Sequence, residues 1–254
     1  MNILTKLSVK RVLKQKFIYV FFVCFFVASF FYAFLISSPE MEEALNINIA
    51  LVGGANFPEF MLRFYIGIVG ILFTSFLVVL YVCEEERSGM LFQPLLHGKT
   101  RENIFKAKIG VLTWMSFLFV FLIYIINYIV SYLRWGSLVF NKNTMIRVLI
   151  KYGLVGIYMV SITLGIILVC IYMRNTLKSL IAVIIYLIMD TVLSGLSIPI
   201  FKYCWIGQYS YDWLISQEFQ PVPGVSAICG MVIIILYGVI FYNLTMKKIV
   251  KISF

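Results

Sequence analysis

Residues 17–36 read FIYVFFVCFFVASFFYAFLI, twenty consecutive positions without a charge. At about 1.5 Å of rise per residue, such a helix is about 30 Å long, the thickness of a bilayer's hydrocarbon core. The apolar residues form an unbroken run, not the single stripe of a helix on a soluble core. Five further apolar runs follow, at 64–83, 109–133, 152–173, 179–201 and 224–246. Inside lipid every backbone N–H and C=O must be satisfied within its own segment, so each run is expected to be a helix. The expected fold class is all-α: a polytopic membrane protein with 1–254 as a single transmembrane domain of six transmembrane helices.

Composition points the same way. Hydrophobic residues make up 62% of the 254, and charged residues 13%, about half the share usual for a soluble domain. The formal net charge is +10, but the basic residues flank the apolar runs, which assigns them to topology and anionic lipid and not to nucleic acid. Five cysteines show no paired spacing: Cys24, Cys83, Cys170 and Cys229 lie in or at the ends of apolar runs and Cys204 in a loop. Neither a disulfide framework nor a metal site follows from that pattern.

Lys and Arg set the orientation. Five (Lys6, Lys10, Arg11, Lys14, Lys16) precede the first run, Arg63 alone lies in the next loop, and five (Arg87, Lys99, Arg101, Lys106, Lys108) follow the second run. With the N-terminus inside, fifteen basic residues fall on the cytoplasmic side and six outside, so both termini are expected in the cytoplasm of a multi-pass protein of the plasma membrane. The third loop is a local exception, carrying Arg134, Lys142, Arg147 and Lys151 on the outer side. Residues 1–16 form a basic interfacial segment, either a surface helix or a plain anchor. The first run is too long for a signal-peptide core and is expected to be retained.

Three motifs tempt and fail. His97-Gly98-Lys99-Thr100 resembles the end of a phosphate-binding loop, but Gln93 stands where its first glycine belongs. The run 183–190 ends in Asp190 like a nucleotide-binding strand, yet it lies within a membrane run. Glu84-Glu85-Glu86-Arg87 resembles the paired glutamates of intramembrane proteases, but the arginine spacing differs and His97 is the only histidine. The chain is therefore expected not to be an enzyme and to bind no cofactor itself. Asp190 is the one acid inside a run, where a charge costs about 2.5–3.5 kcal/mol, so it must face protein or water. It is a candidate intramembrane polar site, either contacting a substrate or ion or locking helices together. The small residues Gly67, Gly70 and Thr74, and Gly153, Gly156, Ser161 and Gly165, recur at spacings that let helices approach closely. Glu40, Glu42, Glu43 and Glu59 read as acids of a solvated outer loop, with attraction of a cationic peptide as a second role.

The segment 84–108 between the second and third runs carries the functional reading. Acids come first, then Gly89, then the apolar stretch Met90, Leu91, Phe92, Leu95 and Leu96 around Pro94, then a basic cluster. A loop that only joined two helices has no need of that apolar stretch, which either lies on the membrane or docks a partner. Gly89 and Pro94 limit the helix it can form.

This segment resembles the coupling region of membrane subunits of type-2 ABC exporters. There an acid, a glycine, a leucine-rich turn, an arginine and a lysine entering the third span recur. Here those roles fall on Glu85 or Glu86, Gly89, Leu95 and Leu96, Arg101, and Lys108, while Met90 departs from the threonine often found in the family. The short six-span layout is similar to permeases of lantibiotic and bacteriocin immunity systems. The resemblance implies a permease without catalytic residues, working in export and antibiotic resistance. It implies a dimeric ATP-binding subunit carrying ATP and Mg, a second permease subunit, identical or related, and an amphipathic peptide or lipid-like substrate. A structural or assembly protein of the membrane is the competing class, and a gated channel lacks a charged stripe along any run.

Overall fold

The computed structural model describes residues 3–36, 53–65, 69–87, 98, 100–136, 141–195 and 225–251. Among them the protein is all-α. The helices are α1 (Ile3–Leu13), α2 (Lys16–Ile36), α3 (Phe57–Phe64) after a 3-10 turn at Gly54–Asn56, and α4 (Gly70–Arg87). Then come α5 (Arg101–Trp135), α6 (Lys142–Met173), α7 (Thr176–Gly195) and α8 (Val225–Lys251).

Four of these are long and apolar enough to cross a bilayer: α2, and the stretches Glu102–Trp135 of α5, Lys142–Met173 of α6 and Cys229–Val250 of α8. That pattern suggests a multi-pass membrane protein. The runs expected at 64–83 and 179–201 give shorter apolar helices, Gly70–Cys83 and Thr176–Met189. Between α3 and α4, Tyr65 and Val69 take a π-helical conformation, and 66–68 lie outside the described residues. A Cβ on Gly70 would stand 2.0 Å from the carbonyl oxygen of Tyr65, so this closeness requires glycine. Helix α7 itself continues to Gly195, and 196–201 lie outside the described residues.

The outward faces identify the solvent. In α2 the residues Ile18, Phe25, Ser29, Ala33 and Ile36 are buried on one side. The other side presents Val20, Val23, Val27 and Phe31, each about 60% exposed. A helix facing water would carry charge there. Ile184, Ile185 and Ile188 of α7 and Val232, Leu236 and Val239 of α8 are exposed in the same way.

The bundle is built around α6. Of its apolar window 67% is buried, against 22% for the windows of α2 and α8, and it packs against α4, α5, α7 and α8. Helix α5 runs antiparallel to it, with Asn127 meeting Tyr152 and Phe117 filling the space over Gly156. Helix α8 runs parallel to it: Ser161 donates to the Ile234 carbonyl at 2.9 Å, Phe241 covers Gly165, and Lys248 lies over Tyr172. Phe21 stacks on Phe73 at 3.8 Å, Phe73 lies 5.2 Å from Phe17 and 5.3 Å from Phe119, and Phe22 lies 5.4 Å from Phe119, which knits α2, α4 and α5 together. The basic segment 1–16 is helical over Ile3–Leu13 and rests on α5, with Val12 fully buried and Lys6, Lys10 and Lys14 outward.

Two helices outrun the apolar sequence that announced them. Thr100 caps α5, its hydroxyl accepting from the Asn103 amide at 3.4 Å, and Asn141 caps α6 by accepting from the Asn143 amide at 3.2 Å. Between α6 and α7 the chain reverses in two residues. Arg174 adopts the left-handed conformation (φ 48°), and the Asn175 side chain accepts from the amides of Leu177 and Lys178 at 2.9 and 3.2 Å.

Candidate functional site

The segment expected to couple to a partner is flanked by α4 and α5. Glu85 and Glu86 lie in the last turn of α4 and Arg101 opens α5. Asp190 lies on α7. The side chains of these four, and Gly89, Leu95 and Leu96 altogether, lie outside the described residues. Gly98 has φ 73°, a left-handed turn just before the α5 cap.

Lys108 is the expected residue whose surroundings are defined. Its side chain is buried, with Nζ 5.6 Å from the Tyr81 ring centroid and 5.5 Å from that of Phe105. Ring faces carry partial negative charge, so the ammonium is held between the two. Tyr81 belongs to α4, and Lys108 and Phe105 to α5, so this contact joins the two flanks of the segment. Two residues beyond Tyr81, Cys83 Sγ of α4 lies 3.8 Å from Ser179 Oγ of α7. The end of α4 is thereby fastened to both α5 and α7. Glu102 and Lys106 form an exposed pair at 2.6 Å on the first turns of α5.

A second polar site occupies the opposite end of the bundle, and sequence reasoning missed it. Glu59, read as an acid of a solvated loop, is buried at 3% exposure in α3. Its carboxylate is bonded to the buried Lys151 ammonium and lies 3.2 Å from Arg147 Nη2, both on α6. Arg147 also donates to Asn56 Oδ1 at 2.8 Å. Tyr152 donates to the Pro58 carbonyl at 2.8 Å and accepts from Asn127 of α5 at 2.9 Å. Ser131 donates to the Gly54 carbonyl. The segment 54–60 is thus pinned to α5 and α6 by side chains from both. A carboxylate this deep persists because two cations face it and Lys151 bonds to one of its oxygens.

This site also accounts for the basic third loop. Arg147 and Lys151 are paired with Glu59, and the Arg134 guanidinium stacks 5.2 Å above the Phe34 ring. The sequence did hold a signal: Glu59 stands inside the apolar string Phe57-Pro58-Glu59-Phe60-Met61-Leu62, and Arg147 and Lys151 are spaced to share one helix face. Among the described residues, no three His, Cys, Asp or Glu side chains gather where they could hold a metal ion. No protein-family model, no curated protein and no solved structure matches the chain.

Proposed function

We propose that the chain is the permease subunit of a type-2 ABC exporter in the plasma membrane, with all six apolar segments crossing the bilayer and both termini cytoplasmic. The observation that carries this is the fastening of the 84–108 segment's flanks: Lys108 between Tyr81 and Phe105, and Cys83 against Ser179. A force applied to the segment reaches α4, α5 and α7 together, and through α4 and α5 the central α6. A loop that served only as a connection would need no such fastening.

In this scheme a dimeric ATP-binding subunit receives the segment in a groove and supplies ATP and Mg, while this chain performs no hydrolysis. A second permease subunit, identical or related, completes the pathway for an amphipathic peptide or lipid-like substrate. Closure of the ATPase biases a rigid-body switch between two helix arrangements, each stabilised by a different ligand. Residues Glu85, Glu86, Gly89, Leu95, Leu96 and Arg101 supply the docking chemistry, and Lys108 passes the displacement inward.

The test is reconstitution with an ATP-binding subunit that co-purifies with the chain. The Glu86→Ala, Arg101→Ala double variant is expected to insert and fold normally and to lose at least tenfold in ATP-driven export. Unchanged export by that assembled variant refutes the coupling assignment, and failure of any ATPase to co-purify with the wild type favours a structural membrane protein.

A further inference from the structure

We propose that the junction of α3 and α4 is a hinge within one helical path, at which α4 turns by one residue relative to α3. Tyr65 leaves α3 with helical angles (φ −71°, ψ −43°), Tyr65 and Val69 are π-helical, and Gly70 opens α4. A π turn closes on the fifth residue and not the fourth, so it holds one residue more than an α turn. Sliding that extra residue along a helix turns each residue it passes by about 100° and shifts it by about 1.5 Å.

The two halves are fastened to different neighbours. Glu59 ties α3 to Lys151 and Arg147 of α6, and the Pro58 carbonyl accepts from Tyr152. The far end of α4 meets Lys108 of α5 through Tyr81, and Ser179 of α7 through Cys83. Between these ends the polar side chains are not tied across helices. Thr74 donates to the Gly70 carbonyl at 2.9 Å and Ser75 to the Ile71 carbonyl, both within α4. The Tyr65 hydroxyl is buried and has no partner among the described residues. Turning the first turns of α4 therefore breaks no side-chain hydrogen bond between described helices.

Local chemistry lowers the resistance further. A Thr or Ser that bonds back to the carbonyl four residues earlier weakens and bends its helix, and two consecutive residues do so here. Gly70 lets the Tyr65 carbonyl and the Met159 methyl group occupy the place of a side chain. Met159 is a flexible thioether that adjusts to a moving neighbour. From Ile71 to Cys83 the helix carries no charge, and Phe76 alone is exposed. Passing the extra residue toward the end of α4 brings Ser75 into the outward place of Phe76 and moves no charge into lipid. The hinge is a property of this chain alone and holds whether or not it works with an ATPase.

The test is hydrogen exchange read by mass spectrometry on the detergent-purified full chain, beside a melting curve. Deleting Val69 removes the extra residue and leaves α3 and α4 in their present contacts. That variant is expected to melt at or above the wild-type temperature. Its amides over 70–76 are expected to exchange roughly tenfold more slowly than in the wild type, while those over 152–160 of α6 keep their rates. Deleting Leu77 instead puts Tyr81 and Cys83 out of register and is expected to melt well below both. Thr74→Val with Ser75→Ala keeps the chain length, removes both back-bonds and is expected to slow the same α4 amides roughly threefold. Equal exchange over 70–76 in the wild type and the Val69 deletion overturns the hinge, as does equal slowing in α6. So does a Val69 deletion that melts as early as the Leu77 deletion, since Val69 then fills no extra position, or an unchanged rate in the double variant.

Discussion

Replacing Glu59 by glutamine keeps the shape of the buried side chain and removes its charge. Lys151, with a side chain only 6% exposed, then loses its carboxylate in surroundings with little water. Breaking a buried ion pair by removing one partner costs about 3–5 kcal/mol, because the remaining charge stays desolvated. The Arg147 contact, at 3.2 Å with an 18% exposed side chain, adds less, since its guanidinium keeps some solvent and its bond to Asn56. For chains of this size each kcal/mol lowers the melting temperature by about 2–4 °C on soluble-domain scaling, so Glu59→Gln is expected to melt roughly 6–20 °C early. Buried Cys83 and Cys170 provide the readout: a thiol-reactive dye labels them as the bundle opens. Cys24, Cys204 and Cys229 are replaced by serine in the background. Adding Lys151→Met to Glu59→Gln removes the stranded cation and is expected to recover part of the loss, giving a coupling energy above about 1.5 kcal/mol in a double-mutant cycle. A melting shift under about 2 °C for Glu59→Gln, or strict additivity in the cycle, refutes the view that this pair secures α3 to α6.

Arg174→Gly removes the cost of a left-handed residue with a Cβ at φ 48° and is expected to raise stability by about 1 kcal/mol in the same melt; a lower melting point would show that the arginine side chain holds the reversal. Gly70→Ala is expected to destabilise by about 1–3 kcal/mol or more, since its Cβ would meet the Tyr65 carbonyl oxygen at 2.0 Å, a backbone atom that cannot swing aside. Gly153→Ala, with nothing within 4 Å, is expected to be neutral or to gain up to about 1 kcal/mol from helix propensity, and equal losses at both sites would refute the packing assigned here.

The helices that could be read most directly are α2, α5, α6 and α8, because an uncharged run near the bilayer thickness has few other structural solutions. Their full extents were not legible. Lys142 to Lys151 and Arg101 to Lys108 carry charges, so hydropathy ends before the helix does, and the caps at Thr100 and Asn141 set the real boundaries. Helix α3 was missed because local pattern reads Glu59 as a loop acid, while the residues that bury it stand 88 and 92 positions later in the chain. Of the expected site, Lys108 was legible as a cation at a membrane boundary, but its partner Tyr81 was not, since no periodicity on α4 distinguishes one buried tyrosine from its neighbours.

The distance in sequence between Glu59 and Lys151 has a consequence for how the protein is made. Synthesis delivers Glu59 first, and its counter-ion follows only after the whole of α5 and the first turns of α6 have emerged. During that interval segment 54–60 has no lysine to neutralise it, and α3 cannot settle against the bundle. The ion pair can therefore close only once the central helix has been made, so α3 is among the last elements to be secured to the bundle.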